Sequence, residues 1–60
     1  MILHYVNGTT SECKVTKEGY KWIYFTARNG YGSRYRLNKR TGEVQIAPHW
    51  ISEPRMYVTY

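Results

Sequence analysis

The chain has no aspartate, one cysteine and two leucines, and no apolar run of membrane-spanning length. Each scarcity excludes something. With Cys13 alone, no disulfide can close within the chain, and a lone thiol fits a reducing compartment. No stretch approaches the roughly 20 apolar residues that cross a bilayer. Met1-Ile2-Leu3 is apolar, but His4 and Asn7 break the run and no cleavage signature follows, so neither a signal peptide nor a membrane anchor is expected. The expected location is the cytoplasm. Sixty residues make a single small β domain, 1–60. A chain this short buries only about 60% of its unfolded surface, and small domains commonly rely on disulfides, a metal or a partner subunit for the rest.

Little in the chain supports catalysis. The only acids are four glutamates, and no two of them fall close enough in a strand arrangement to suggest paired carboxylates. Cys13 with His4 or His49 is a conceivable nucleophile pair, but two histidines and one cysteine find some pairing by chance in any short chain. A pocket able to bury most of a substrate needs a larger domain. A zinc site needs three or four ligands at tight local spacing, and His4, Cys13 and His49 are scattered. Cys13 reads as a small buried hydrophobe beside Val15, and His4 as a strand residue facing solvent. Asn7-Gly8-Thr9 matches the glycosylation pattern, but reads as a turn. Gly30-Tyr31-Gly32-Ser33 is too short for a phosphate-binding loop and lacks the lysine that follows one. No enzyme, cofactor or metal is expected.

Aromatics and basic residues are abundant. Aromatics make up 17% of the chain, and seven of the ten are tyrosine. Such side chains favour strands and cover large areas at low entropic cost while tolerating water at their polar end. The net charge is +5. Arg28, Arg34, Arg36, Lys39 and Arg40 lie in one stretch without an acid, whereas Lys14, Lys17, Lys21 and Arg55 balance Glu12, Glu18, Glu43 and Glu53. A local basic excess points to an anionic partner.

Turn signals recur at Asn7-Gly8, Glu18-Gly19, Asn29-Gly30, Gly32 and Thr41-Gly42. Spacing of about 8–12 residues between such signals reads as an antiparallel meander. Strands are predicted near residues 2–6, 10–17, 20–27, 33–38 and 43–47, with a sixth short one over 55–59. The fold class is all-β: a meander of about five strands, strongly curled or closed into a partly open barrel of SH3 or OB type. Trp50-Ile51-Ser52-Glu53 is read as one helical turn stopped by Pro54.

The hairpin around Lys39-Arg40-Thr41-Gly42 is the clearest, because four turn residues ending in glycine match a type I turn closed by a positive φ. It sets Leu37 opposite Val44 and Tyr35 opposite Ile46 on one face, with Arg36 and Gln45 on the other. The preceding hairpin has two registers. A five-residue loop over 28–32 pairs Phe25 with Tyr35 and gathers Trp22, Tyr24, Arg34 and Arg36 on the opposite face. A two-residue Asn29-Gly30 turn pairs Tyr24 with Tyr35 instead and buries the larger aromatics. A slip of one residue moves every side chain across the sheet. In either register strand 20–27 is apolar on both faces, as in strands covered on both sides. A curled sheet whose second face is taken by a homodimer partner or another molecule answers this.

The basic-aromatic segment carries the functional expectation. Rings on a sheet stack on unpaired bases while arginine and lysine neutralise phosphates. Trp22, Tyr24, Arg34 and Arg36 form the expected platform, and Arg28, Tyr31, Lys39 and Arg40 sit on turns at its two ends. The expected partner is DNA or RNA, not a membrane. The alternative uses the same tyrosine, tryptophan and arginine side chains as interface anchors. In that reading the chain is a small accessory protein of the phage or mobile-element type that docks on an acidic surface of a host protein and inhibits it. Its location would then be the host cytoplasm.

Overall fold

The computed structural model describes residues 1–28 and 33–59. It contains only strands: β1 (Ile2–His4), β2 (Thr10–Glu18), β3 (Trp22–Ala27), β4 (Arg34–Asn38), β5 (Val44–Ile46), β6 (Ile51–Ser52) and β7 (Tyr57–Thr59). All pairings are antiparallel, and the seven strands form one curled sheet in the order β6-β5-β4-β3-β2-β1-β7. The small curled meander expected from the turn spacing is the observed fold. No helix among the described residues is long and apolar enough to cross a membrane.

Phe25 pairs with Tyr35 and Ile23 with Leu37, so the five-residue-loop register is the one adopted. The alternation then sorts cleanly. Ile23, Phe25 and Ala27 of β3 are buried, as are Tyr35 and Leu37 of β4 and Val44 of β5. Leu3 and Met56 complete this core, and Phe25, Leu3 and Val44 are its largest fully enclosed side chains. The Phe25 and Tyr35 rings stack with centroids 5.5 Å apart. The core fills the hollow of the curled sheet, and the chain from β6 to β7 crosses from one sheet edge to the other. On the way the Glu53 amide donates to the Val44 carbonyl and the Met56 amide to the Glu53 carbonyl, which seats Met56 in the hollow. Tertiary closure therefore comes from a thioether at residue 56, a flexible side chain suited to irregular gaps.

The β4–β5 turn has the expected geometry. The Asn38 amide donates to the Glu43 carbonyl and the Gly42 amide to the Asn38 carbonyl, with Gly42 at φ +81°. The buried Asn38 side chain organises the loop, its Oδ1 accepting from the amides of Arg40 and Thr41. No heavy atom lies within 4 Å of where a Gly42 Cβ would stand, so Gly42→Ala isolates the backbone cost. A loss of about 1–2 kcal/mol is expected in urea denaturation. Gly19→Ala is the control: its Cβ meets only the Trp22 carbonyl at 3.6 Å without a positive φ, and its stability should stay near native.

Residues 50–53 do not form the expected helical turn. Residues 47–50 make a turn, Trp50 adopts φ +53°, and Ile51–Ser52 pair with Gln45–Ile46 as β6. A single helical turn fixes several dihedrals for one hydrogen bond, whereas the open edge of β5 supplies partners at once. Two smaller expectations are also revised. His4 faces outward but is half-covered, stacked on Tyr57 at 4.3 Å and hydrogen-bonded to the Thr59 hydroxyl at 2.8 Å. Cys13 is half-buried against the core, but its neighbour Val15 is exposed. A register shift between Val15 and Lys17 marks a bulge there, and β2 runs on past the cover that β1 gives its first residues.

Candidate functional site

On the outer face of β3 and β4, Trp22, Tyr24 and Thr26 alternate with the buried core positions, and Arg34 and Arg36 stand opposite Thr26 and Tyr24. The platform residues Trp22, Tyr24, Arg34 and Arg36 are thus brought together as the adopted register requires. The structure adds Trp50. Its positive φ after the 47–50 turn carries the indole back over the sheet. There the Arg36 guanidinium lies between two rings, its Cζ 4.0 Å from the Trp22 centroid and 4.5 Å from that of Trp50. Tyr24 meets Trp50 edge-on at 5.7 Å and 76°. The chain therefore covers part of this apolar face with its own side chains.

Arg36 is also held in the plane of the sheet. Its Nε donates to Gln45 Oε1 at 2.7 Å, and Gln45 Nε2 donates to Glu43 Oε2 at 2.8 Å. Hydrogen bonds from Gln45 and then Ser52, with the nearby charges of Arg36 and Lys21, hold the Glu43 carboxyl below its ordinary value of 4.5. A depressed carboxyl pKa means that folding favours the ionised form. The resulting stability is full above the ordinary glutamate range and is lost as pH falls through 4.5 and on through the lowered folded-state value. Thermal melts of the native chain and Glu43→Gln should differ most near neutral pH and converge in acid. A gap that persists unchanged at roughly pH 3 would contradict this linkage.

Ion pairing redistributes the charge read from the sequence. Arg28 pairs with Glu12 at 3.2 Å and Lys39 with Glu18 at 2.7 Å. Both cations belong to the segment expected to be free of acids, and both partners lie on β2. Antiparallel pairing of β2 with β3 sets those glutamates beside the ends of the β3–β4 hairpin. Among the described residues, no carboxylate lies within 4 Å of Lys14, Lys17 or Arg34. Lys14 stands opposite Thr26 and Lys17 opposite Tyr24, so both join Arg34 on the outer face. Lys17 Nζ lies 6.0 Å from the Tyr24 centroid and Lys21 Nζ 5.6 Å from that of Trp22.

Between Lys17 and Arg34 lies an open depression of 360 Å³, lined also by Thr16, Tyr24, Thr26 and Trp50 among others. Arg28 and Lys39 lie at opposite ends of the platform, as expected, but each is engaged by a glutamate. Arg40 is exposed beside Tyr20, Lys21 and Lys39. Tyr31 lies outside the described residues. Sequence reasoning missed Lys14, Lys17 and Trp50 as members of this face. The period-two spacing of Lys14 relative to Glu12 was available, but the bulge that turns Lys17 outward carries no sequence signal.

No family model, curated protein or solved structure matches this chain significantly. The site's chemistry rests on its own geometry. Burial raises the Cys13 pKa, so the thiol is held protonated at neutral pH and is a poor nucleophile there. Among the described residues, no three His, Cys, Asp or Glu side chains are grouped to hold a metal ion. What the outer face offers is ring surface and uncompensated positive charge.

Proposed function

We propose that this protein binds nucleic acid through the outer face of β2, β3 and β4. One observation carries the reading: Lys17 and Arg34, with no carboxylate within 4 Å among the described residues, border a depression lined by Tyr24 and Trp50, and Lys14 stands opposite Thr26 on the same face. Phosphates supply the charge those cations lack, and base faces supply partners for rings already exposed on one side. Base–aromatic stacking contributes about 1–3 kcal/mol per base, and each phosphate neutralised adds a counterion-release term that weakens with salt. Arg36 acts here as a fixed strut that keeps the Trp22 and Trp50 rings apart, rather than as a mobile phosphate ligand.

The test uses the two tryptophans, Trp22 and Trp50, which both belong to the site. Titration with a random single strand and a random duplex at two salt concentrations should quench their fluorescence and raise the anisotropy of a labelled strand. Binding should weaken steeply with salt. An absence of binding to either at low salt overturns the proposal and redirects the search to an acidic protein surface.

A further inference from the structure

A second cationic recess, of 310 Å³, lies at the end of the sheet where the β2–β3 and β4–β5 turns run side by side. The Lys39 amide donates to the Lys21 carbonyl at 2.9 Å and ties the two turns together. Tyr20, Lys21, Lys39 and Arg40 line the recess. Tyr20 is exposed to its full extent, an unusual state for a large ring with nothing to cover. Lys39 is paired with Glu18, whereas among the described residues Lys21 and Arg40 have no carboxylate within 4 Å, Lys21 feeling only the more distant charge of Glu43.

The two recesses are joined by an unbroken row of contacts. Lys21 lies over Trp22, Trp22 over Arg36, Arg36 over Trp50, and Trp50 meets Tyr24, whose ring lies beneath Lys17. The row follows the chain from Lys21 to Tyr24, and the sheet-face depression carries the path on to Thr26. At about 3.3 Å per residue this is a path of roughly 17–20 Å. Fully stacked nucleotides advance about 3.4 Å each along the helix axis, so the path accommodates at most about five or six nucleotides, and fewer if the strand is stretched.

We infer that the sheet-face depression and the turn-end recess are two subsites of one track, and that the track takes a single-stranded polynucleotide rather than a duplex. This rests on the nucleic-acid reading above and narrows it. Rings occur along the whole path, and only unpaired bases present faces to them. A duplex hides its base faces and meets this convex surface through phosphates alone. The Trp22–Arg36–Trp50 stack lies between the two subsites, so bases stack on the outward ring faces along the track while Lys17 and Arg34 at one end, and Lys21 and Arg40 at the other, take the phosphates.

The experiment is a length series of pyrimidine single strands, deoxy and ribo, from about two to about twelve nucleotides, beside a duplex of the longest length. Affinity should climb steeply to about six nucleotides and then rise only with the number of binding registers. K21Q/R40Q changes two exposed turn residues and should keep a native circular dichroism spectrum. It should lower the salt slope for single strands by about 1.4, from about 0.7 per phosphate contact, and bring the length threshold down to about three nucleotides. Tryptophan quenching by short strands should persist in that variant. An unchanged slope and threshold in K21Q/R40Q overturns the track, and so does a duplex that binds as tightly as the single strand. Either result leaves nucleic-acid binding standing. Failure of every strand to bind overturns both proposals.

Discussion

Reversing Lys17 and Arg34 to glutamate should abolish nucleic-acid binding at moderate salt while leaving the fold intact. Both side chains border the sheet-face depression, and neither has a carboxylate within 4 Å among the described residues. Removing them costs the fold no ion pair, and both are exposed. A unit charge at contact distance in water is worth about 1 kcal/mol. Two attractions lost and two repulsions gained therefore amount to about 4 kcal/mol, or on the order of a thousandfold in affinity. The effect should shrink as salt rises, because the screening length falls to about 10 Å at 0.1 M. Fluorescence anisotropy across a salt series measures it, with near-ultraviolet circular dichroism as the control for folding. Native affinity in a natively folded double variant would rule out the sheet face as the interface. The same reversal at Arg28 and Lys39 breaks the ion pairs with Glu12 and Glu18 and sets like charges side by side, so there a loss of binding should come with a loss of stability.

Phe25→Ala should leave the chain largely unfolded at room temperature. Phe25 is fully enclosed and stacked on Tyr35, and deleting a buried phenyl ring costs about 3–5 kcal/mol. At about 0.05–0.15 kcal/mol per residue, a chain of 60 residues has total stability of about the same size. Phe25→Leu keeps most of the volume and should lose far less, on the order of 1.5 kcal/mol. Urea denaturation followed by circular dichroism separates the two. The pair also tests the register. With a two-residue Asn29-Gly30 turn, Phe25 would face outward and its truncation would be nearly neutral. Tyr24→Ala is the internal comparison: half-buried on the outer face, it should lose less stability than Phe25→Ala and more binding.

Local chemistry made much of the architecture readable in advance. Asn7-Gly8, Glu18-Gly19 and Thr41-Gly42 each mark an observed reversal, and alternation in Tyr35-Arg36-Leu37 foretold which side chains of β4 would be buried. These features depend on residues a few positions apart, so a linear sequence displays them. The candidate site was readable only to the extent that it follows strand alternation: Trp22, Tyr24, Arg34 and Arg36 share a face because they share a parity in the adopted register.

That register lay beyond the sequence, since two turn lengths satisfied it equally well. Packing settled it, because pairing Phe25 with Tyr35 and Ile23 with Leu37 builds one enclosed cluster with Leu3, Val44 and Met56. The remaining features were decided in the same way. β7 adds to β1 across nearly the whole length of the chain, β6 takes the open edge of β5, and Trp50 closes on Arg36 through a backbone conformation that tryptophan seldom adopts. The charge map belongs to this group too. The sequence by itself determined that there is a basic excess and that it accompanies rings on strands. Which cations remain uncompensated was decided by tertiary structure, because ion pairing acts through space, and strand pairing set Glu12 and Glu18 beside Arg28 and Lys39 while leaving Lys14, Lys17 and Arg34 around an open aromatic face.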